Sequence, residues 1–464
     1  MKTKRWVLAF YLVFGFVLSG AASVRAQNMA ELPDFKKQDR VLVLAPHPDD
    51  ETIGCAGVMI HALKSGAEVK VVYLTNGDNN IFSILFYYPL LFPLRLFTMT
   101  EFDFLNLGRQ RQEEAIKAMA ILGVKKENLV FLGYPDHGTD QMFVYNWGRN
   151  KPYRSMFGKQ TRVPYRESES YKKEFKGNNV LGDLKKIVLD YKPTRIFVSH
   201  PADFNGDHWA LYLYLQIVLA DLSDEMPEPQ VFPYLVHLPR WPLPQHYHPE
   251  LRMEPPAQHF FDDLTPSVKW KQVRLSPEEI EKKHAAMLAY NSQTRISAFY
   301  LLSFVRQNEL FSDLPLITVK KQTSPKTPDG SGRKVVFASD TQWVGFAVVG
   351  DYLLIKARRP GELKRGLAYL FFVGTYKFGL DFGDTPNIAI LTSDNKFKVY
   401  DTLLGKRPID PKDTSLELDQ ESLILKMPLS LFRDMDGFIF AFDSLGRKFV
   451  PTGCTAFRKV LIEK

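Results

Sequence analysis

Two cysteines in 464 residues, Cys55 and Cys454, are too few and too far apart for a disulfide framework. No internal repeat breaks the chain. Charge of one sign is also scarce. The formal net charge is +8, but Lys2, Lys4, Arg5 and Arg25 carry half of it within residues 1–26, a stretch with no acid. The remainder is too mildly basic to argue for nucleic acid. Long apolar runs are nearly absent: Trp6 to Leu18, behind a basic start and ahead of small residues ending at Ala26, is short for a membrane span of ~20 residues. That layout reads as a secretory signal peptide over residues 1–26, or a membrane anchor if uncleaved. A secreted or periplasmic chain with so little cysteine must draw its stability from a large core. At 45% apolar and 24% charged, the composition is that of a globular protein.

Short apolar runs alternate with amphipathic stretches from residue 40 to about 240. Val41–Ala45, Val69–Thr75, Leu129–Leu132 and Arg195–Ser199 read as strands; Ile53–Lys64, Arg109–Leu122, Leu181–Asp190 and Asp207–Leu219 read as helices. The strands are apolar on both faces. The pattern predicts an α/β fold, a Rossmann-like, mostly parallel sheet with helices on both faces. Ser276 with Pro277 and two glutamates starts a further helix, and a last one is expected over about 295–310. "KKQTSPKTPDGSGRK" reads as a linker, and short strands broken by Gly, Asp and Pro follow it. The expected units are an enzyme domain over 36–318, a linker over 319–334 and a β-sandwich over 335–464 that could bind glycans.

The stretch "LVLAPHPDDETIG" places His47, Asp49, Asp50 and Glu51 where a buried strand gives way to a helix. Adjacent acids repel one another, so a cation is expected among them. His47 and Asp50 can converge on one ion across this turn. "SHPADFNGDHWALY" also follows a strand and opens a helix, and supplies His208 as third ligand. Ligands in such sheets bind beyond the carboxyl ends of the strands. Three protein ligands plus an open position describe a catalytic zinc site, one Zn2+ per chain, although two His and one Asp can hold other divalent ions. Asp49 is left as the base for a metal-activated water. Glu51 is expected to orient the loop or cap the helix.

With "RQEEAIKAMAILGV", "FLGYPDHG" and the later Asp207-His208, the His-Pro-Asp-Asp-Glu stretch resembles the PIG-L/LmbE family of zinc-dependent N-acetylglucosaminyl deacetylases, over residues ~40–310. The resemblance implies zinc ligands at His47, Asp50 and His208, Asp49 as general base, and substrate contacts near Arg111 and Asp136. Arg111 could instead pair with Glu114 along its helix. Many members have a histidine where this chain has Asn205, which can donate a hydrogen bond to an oxyanion but cannot deliver a proton. The acid is then expected to be His237, with His200 as second choice. The implied partner is an N-acetylated sugar, glycan or glycolipid; the alternatives are a zinc amidase on another acyl-amide and a non-catalytic glycan-binding protein. Residues 81–99, uncharged from Ile81 to Leu94, read as a buried lid, a membrane-surface contact or a wall for a lipid tail.

Overall fold

The computed structural model describes residues 29–85, 98–148, 150–256, 268–314, 317–322, 335–336, 344–358, 368–380, 382–393, 396–402, 407–410, 412–418, 422–432, 435–445, 451–454 and 458–463. The expected leader lies outside these residues, as do 86–97 of the apolar segment. The first unit runs β1 (Ala30–Glu31), β2 (Arg40–Ala45), α1 (Asp50–Lys64), β3 (Glu68–Thr75), α2 (Ile81–Leu85), α3 (Glu101–Leu122), β4 (Leu129–Tyr134) and α4 (Thr139–Tyr145). It continues through α5 (Gly177–Tyr191), β5 (Arg195–Ser199), α6 (Gly206–Asp221), β6 (Gln230–Tyr234), β7 (Lys269–Arg274), α7 (Pro277–Ala289), α8 (Asn291–Leu301) and β8 (Asn308–Asp313).

Five parallel strands form the central sheet in the order β4-β3-β2-β5-β6. Its two-sided burial follows from strand pleating: Val41, Val43 and Ala45 face one apolar core, and Leu42 and Leu44 the other. Residues of α1, α3 and α7 fill the first core and residues of α5 and α6 the second. The chain moves outward from β2 to β4, then restarts at β5 on the other side of β2. The β2/β5 junction is therefore the switch point where open α/β sheets bind ligands. A second sheet of β1, β7 and β8 was not legible in sequence. The helix expected over 295–310 ends at Leu301, and the buried run 308–312 is strand; periodicity cannot separate a short, fully buried strand from a helix.

The linker expectation is corrected at its start. β9 (Ile317–Gln322) is a strand of a twelve-stranded sheet that makes up the second unit. Residues 317–320 pair with strand 458–463 and residues 321–322 with strand 344–349, the only parallel pairs of that sheet among the described residues. In place of two separate facing sheets, one hydrogen-bonded path bends over its own apolar face. Phe346 meets Phe438 and Phe440 at 5.3 and 4.9 Å, although two strands intervene in the pairing order. The second unit also extends the first unit's core through Phe372, Tyr376, Phe382 and Ile439.

A buried ion pair is inserted against α1. Glu309 of β8 accepts from the Gly57 and Val58 amides at 2.9 and 3.2 Å, while Lys283 of α7 donates to the Ile53 carbonyl and to Glu309, both at 2.8 Å. Ile53 and Gly57 are the acceptor and donor of one ideal helical bond, so each member of the pair engages one of its ends. Both side chains are out of water. Lys283→Met is expected to leave Glu309 buried and unpaired and to cost about 3–5 kcal/mol, measured by denaturant unfolding.

Candidate metal centre and active site

The loops after β2, β4, β5 and β6 meet at one rim. His47 and Asp50 come from the turn between β2 and α1, and His208 from the first turn of α6. His47 Nδ1 lies 3.1 Å from Asp50 Oδ2, His208 Nε2 lies 3.2 Å from the same oxygen, and the two imidazole nitrogens are 3.3 Å apart. Bonds of ~2.0–2.1 Å to a tetrahedral ion such as zinc would set ligand atoms ~3.3–3.4 Å apart. The three atoms are thus spaced like one face of that tetrahedron, and the two-nitrogen, one-oxygen donor set suits a first-row divalent ion. All three side chains are buried. Burial opposes charge on His208, but Asp203 and Asp50 outweigh it and lift its pKa to about 9. Burial likewise works against charge on Asp50, yet both histidines hold its carboxyl well below the usual range.

Each histidine is oriented from behind. Asp203 lies 3.0 Å from His208 Nδ1 and also accepts the Val236 and His237 amides, which turns Nε2 toward Asp50. Behind His47, Nε2 faces Asp136 at 3.1 Å and Asp207 at 3.2 Å. Asp207 is itself fixed by the amides of His137 at 2.6 Å and Thr139 at 2.9 Å, and by the Thr139 hydroxyl at 2.5 Å. His47, Asp136 and Asp207 form a second group of potential ligand atoms within 4.8 Å of one another. Sequence reasoning set Asp207 aside as a neighbour and gave Asp203 no role; the signal for Asp203 was an acid in the turn that follows the β5 strand end. Asp136, expected near substrate, lies directly against His47.

Asp49 is brought to the rim but is not part of either ligand group. Its φ of 131° lies in a region that favours glycine, a strain of about 1–3 kcal/mol that the surroundings must hold. Its amide donates to Glu51 at 3.1 Å, and its carboxylate accepts from Arg111 at 3.1 Å. Burial lifts its pKa to about 8 against the pull of Arg111. Arg111 does not pair with Glu114. It also donates to the carbonyls of Pro48 at 2.7 Å and Gly77 at 2.9 Å, while Glu114 accepts from Ser292. Gly77 has a φ of +62°, and a Cβ there would lie 2.1 Å from the guanidinium. Arg111 is therefore a clamp beneath Asp49. Glu51 orients this loop as expected, through the Asp49 amide, with Thr52 and Tyr290 donating to its other oxygen.

The expected acids fare differently. His237 is at the rim, its ring 4.7 Å from that of His208 and 6.1 Å from Tyr300. Burial lowers its pKa to about 4, so the ring is neutral at pH 7 and holds no stored proton. That departs from the expected acid role and leaves His237 a neutral hydrogen-bonding group. His200 is fully buried, accepts from the Ala202 amide and stacks on Trp270, which makes it part of the packing. Asn205 caps α6, its side-chain oxygen accepting from the Asp207 amide at 2.9 Å; the expected donor role would fall to its amide nitrogen, which this cap does not use. Asp78, on the loop after β3, was missed altogether; it is held by Tyr165 at 2.6 Å, and burial lifts it to about 7.

Residues 42–218 match the family model described as PIG-L, GlcNAc-PI de-N-acetylase. A 1D-myo-inositol 2-acetamido-2-deoxy-alpha-D-glucopyranoside deacetylase of Mycobacterium sp. (strain KMS) is 33% identical over 113 residues, 24% of this chain and 33% of that one. The Kribbella flavida protein of the same description is 34% identical over 119 residues, 25% and 34% of the two chains. The chain thus covers about a third of the length of these relatives. Among solved structures, the N,N'-diacetylchitobiose deacetylase from Pyrococcus horikoshii aligns at 19% identity and a TM-score of 0.33, over 59% of this chain and 82% of that one. The strand-end His-Pro-Asp-Asp-Glu turn, Arg111, Asp136 and the Asp207-His208 pair all lie inside residues 42–218, the segment that is similar to the PIG-L/LmbE deacetylase family.

Proposed function

We propose that this protein is a zinc-dependent hydrolase that removes the N-acetyl group from an N-acetylated amino sugar, exported by the leader read in residues 1–26. The observation that carries the reading is the triangle of His47, Asp50 and His208 donor atoms with a buried, non-ligating carboxylate, Asp49, next to it in sequence. A divalent ion held by those three residues supplies Lewis acidity and lowers the pKa of water to ~7.

The chain's own groups account for the proton. With a pKa of about 8 a fraction of Asp49 is ionised at neutral pH, and a divalent cation beside it would enlarge that fraction. In that form, aimed by Arg111, it takes a proton from the attacking water as the water oxygen bonds to the amide carbon. A pKa raised by burial makes the protonated Asp49 a competent acid in the next step. As the carbon–nitrogen bond breaks, Asp49 returns that proton to the leaving amine, giving acetate and the free amino sugar. No separate histidine acid is required. His237, as a neutral imidazole, serves instead as a hydrogen-bond donor to the developing oxyanion, a role suited to a ring that burial keeps uncharged. Asp78 and Asp136 place carboxylates near the same rim, where sugar hydroxyls can donate to them.

Purified protein incubated with N-acetylated monosaccharides, oligosaccharides and lipid-linked sugars is expected to release acetate from at least one class and to stop on chelation. His208→Ala should lose the ion, measured by metal analysis; retained stoichiometric metal would remove His208 from the set. Asp49→Asn should keep its metal while turnover falls by about 10²–10⁴-fold. His237→Ala should lower kcat by roughly 10²–10³-fold, the usual loss of one oxyanion donor, with metal content unchanged.

A further inference from the structure

The short helix α4 lies between the rim and the second unit. Seven residues are too few to hold a helix without packing, and no side chain caps the start of this one. What fixes α4 is aromatic. Phe143 meets Tyr214 of α6 edge-on at 5.0 Å and Trp147 at 5.9 Å, and the Tyr214 hydroxyl donates to the Thr139 carbonyl at 3.4 Å. Trp209 of α6 meets Phe143 edge-on at 6.3 Å as well, and a further contact comes from the second unit. Phe382, fully buried, sets its ring 5.5 Å from Phe143 and 5.2 Å from Trp147. Its turn is pinned by the Thr385 hydroxyl, which is 2.8 Å from the Phe382 carbonyl and 2.7 Å from that of Thr375.

At its other end α4 begins at Thr139, whose amide and hydroxyl, with the His137 amide, hold Asp207 behind His47. A continuous set of contacts therefore runs from the second unit to a metal ligand. We propose that Phe382 is a positioning residue for the metal centre: a ring from the β unit fixes α4, and through Thr139 and His137 fixes the carboxylate that orients His47. This rests on the reading of His47 as a ligand. It gives the β unit a task that needs no glycan, in contrast to a separate binding module.

The test uses the full chain. In Phe382→Ala, amide hydrogen exchange is expected to rise within residues 136–147 while β2 and β3 keep their protection, and zinc affinity, read by chelator competition, to fall about 10–100-fold, the range for groups that orient metal ligands. Phe382→Leu, which keeps most of the apolar volume, should give a smaller change in the same peptides. Tyr376→Phe removes the 3.1 Å bond to Asp221 elsewhere in the interface and should alter neither readout. A folded Phe382→Ala with unchanged zinc affinity overturns the proposal. So does a rise in exchange spread evenly over β2 and β3, or an equal loss of affinity in Tyr376→Phe. If Phe382→Ala fails to fold, Phe382→Leu decides: a rise confined to 136–147 supports the proposal, and a flat or global response overturns it. If the parent protein binds no zinc, the ligand reading fails separately, and exchange alone decides whether Phe382 holds α4.

Discussion

Six carboxylates crowd one buried volume at the end of the parallel sheet: Asp49, Asp50, Glu51, Asp136, Asp203 and Asp207. Against them stand the Arg111 guanidinium and the imidazoles of His47, His208 and, at 3.9 Å from Asp136, His137. Burying that much negative charge is unfavourable unless each oxygen is hydrogen-bonded or faces a cation, and much of the local architecture follows from meeting that condition. Arg111 is drawn under the first turn and supplies three contacts. Asp207 receives two amides and a hydroxyl, Asp203 three amides, and Glu51 an amide and two hydroxyls. Asp49 is held in a backbone conformation it would otherwise avoid. What remains after these pairings is a triangle of donor atoms shaped for a divalent ion, which would supply the missing positive charge.

The part of this that could be read from residues was the part written in local spacing. Strand β2 and the turn after it carry period-two burial and three consecutive acids, and both point to the same place. That the His208 turn would meet the first was legible because it repeats the strand-end, helix-start grammar. The supporting contacts were not. Asp203, Asp207 and Arg111 act on residues far along the chain, and nothing in their immediate neighbours says which ring or carbonyl they will meet. The same holds for His237: its place at a strand end was readable, but its charge state depends on how deeply the fold buries it. Asn205 carries a role that its sequence position also allowed, since a residue that can donate to an oxyanion is also among the best helix caps.

The unit boundary failed for a related reason. Residues 317–322 sit beside a run rich in Lys, Pro, Gly and Ser, and composition alone assigned their end to a linker. Their strand pairing is made with partners far away in sequence, so no window along the chain contains the evidence for it. The buried pair Lys283–Glu309 is equally silent in sequence, because each partner looks like an ordinary charge on a surface element until α7, β8 and α1 pack together.

β9 also carries a consequence for how the molecule comes into being. It is the first strand of the second unit, yet four of its residues pair with strand 458–463, the last one described. Ile317 and Val460 are ~140 residues apart, a long loop to close before the bent sheet can form, and such non-local pairing is slow. The five-stranded sheet needs no residue beyond Tyr234 for its strand pairing, so it can assemble early on the emerging chain. The two units then mature on different clocks. The ring that seals the aromatic cluster beneath the rim arrives with the slower one, so a newly made chain passes through a period with its central sheet formed and its site still open on that side.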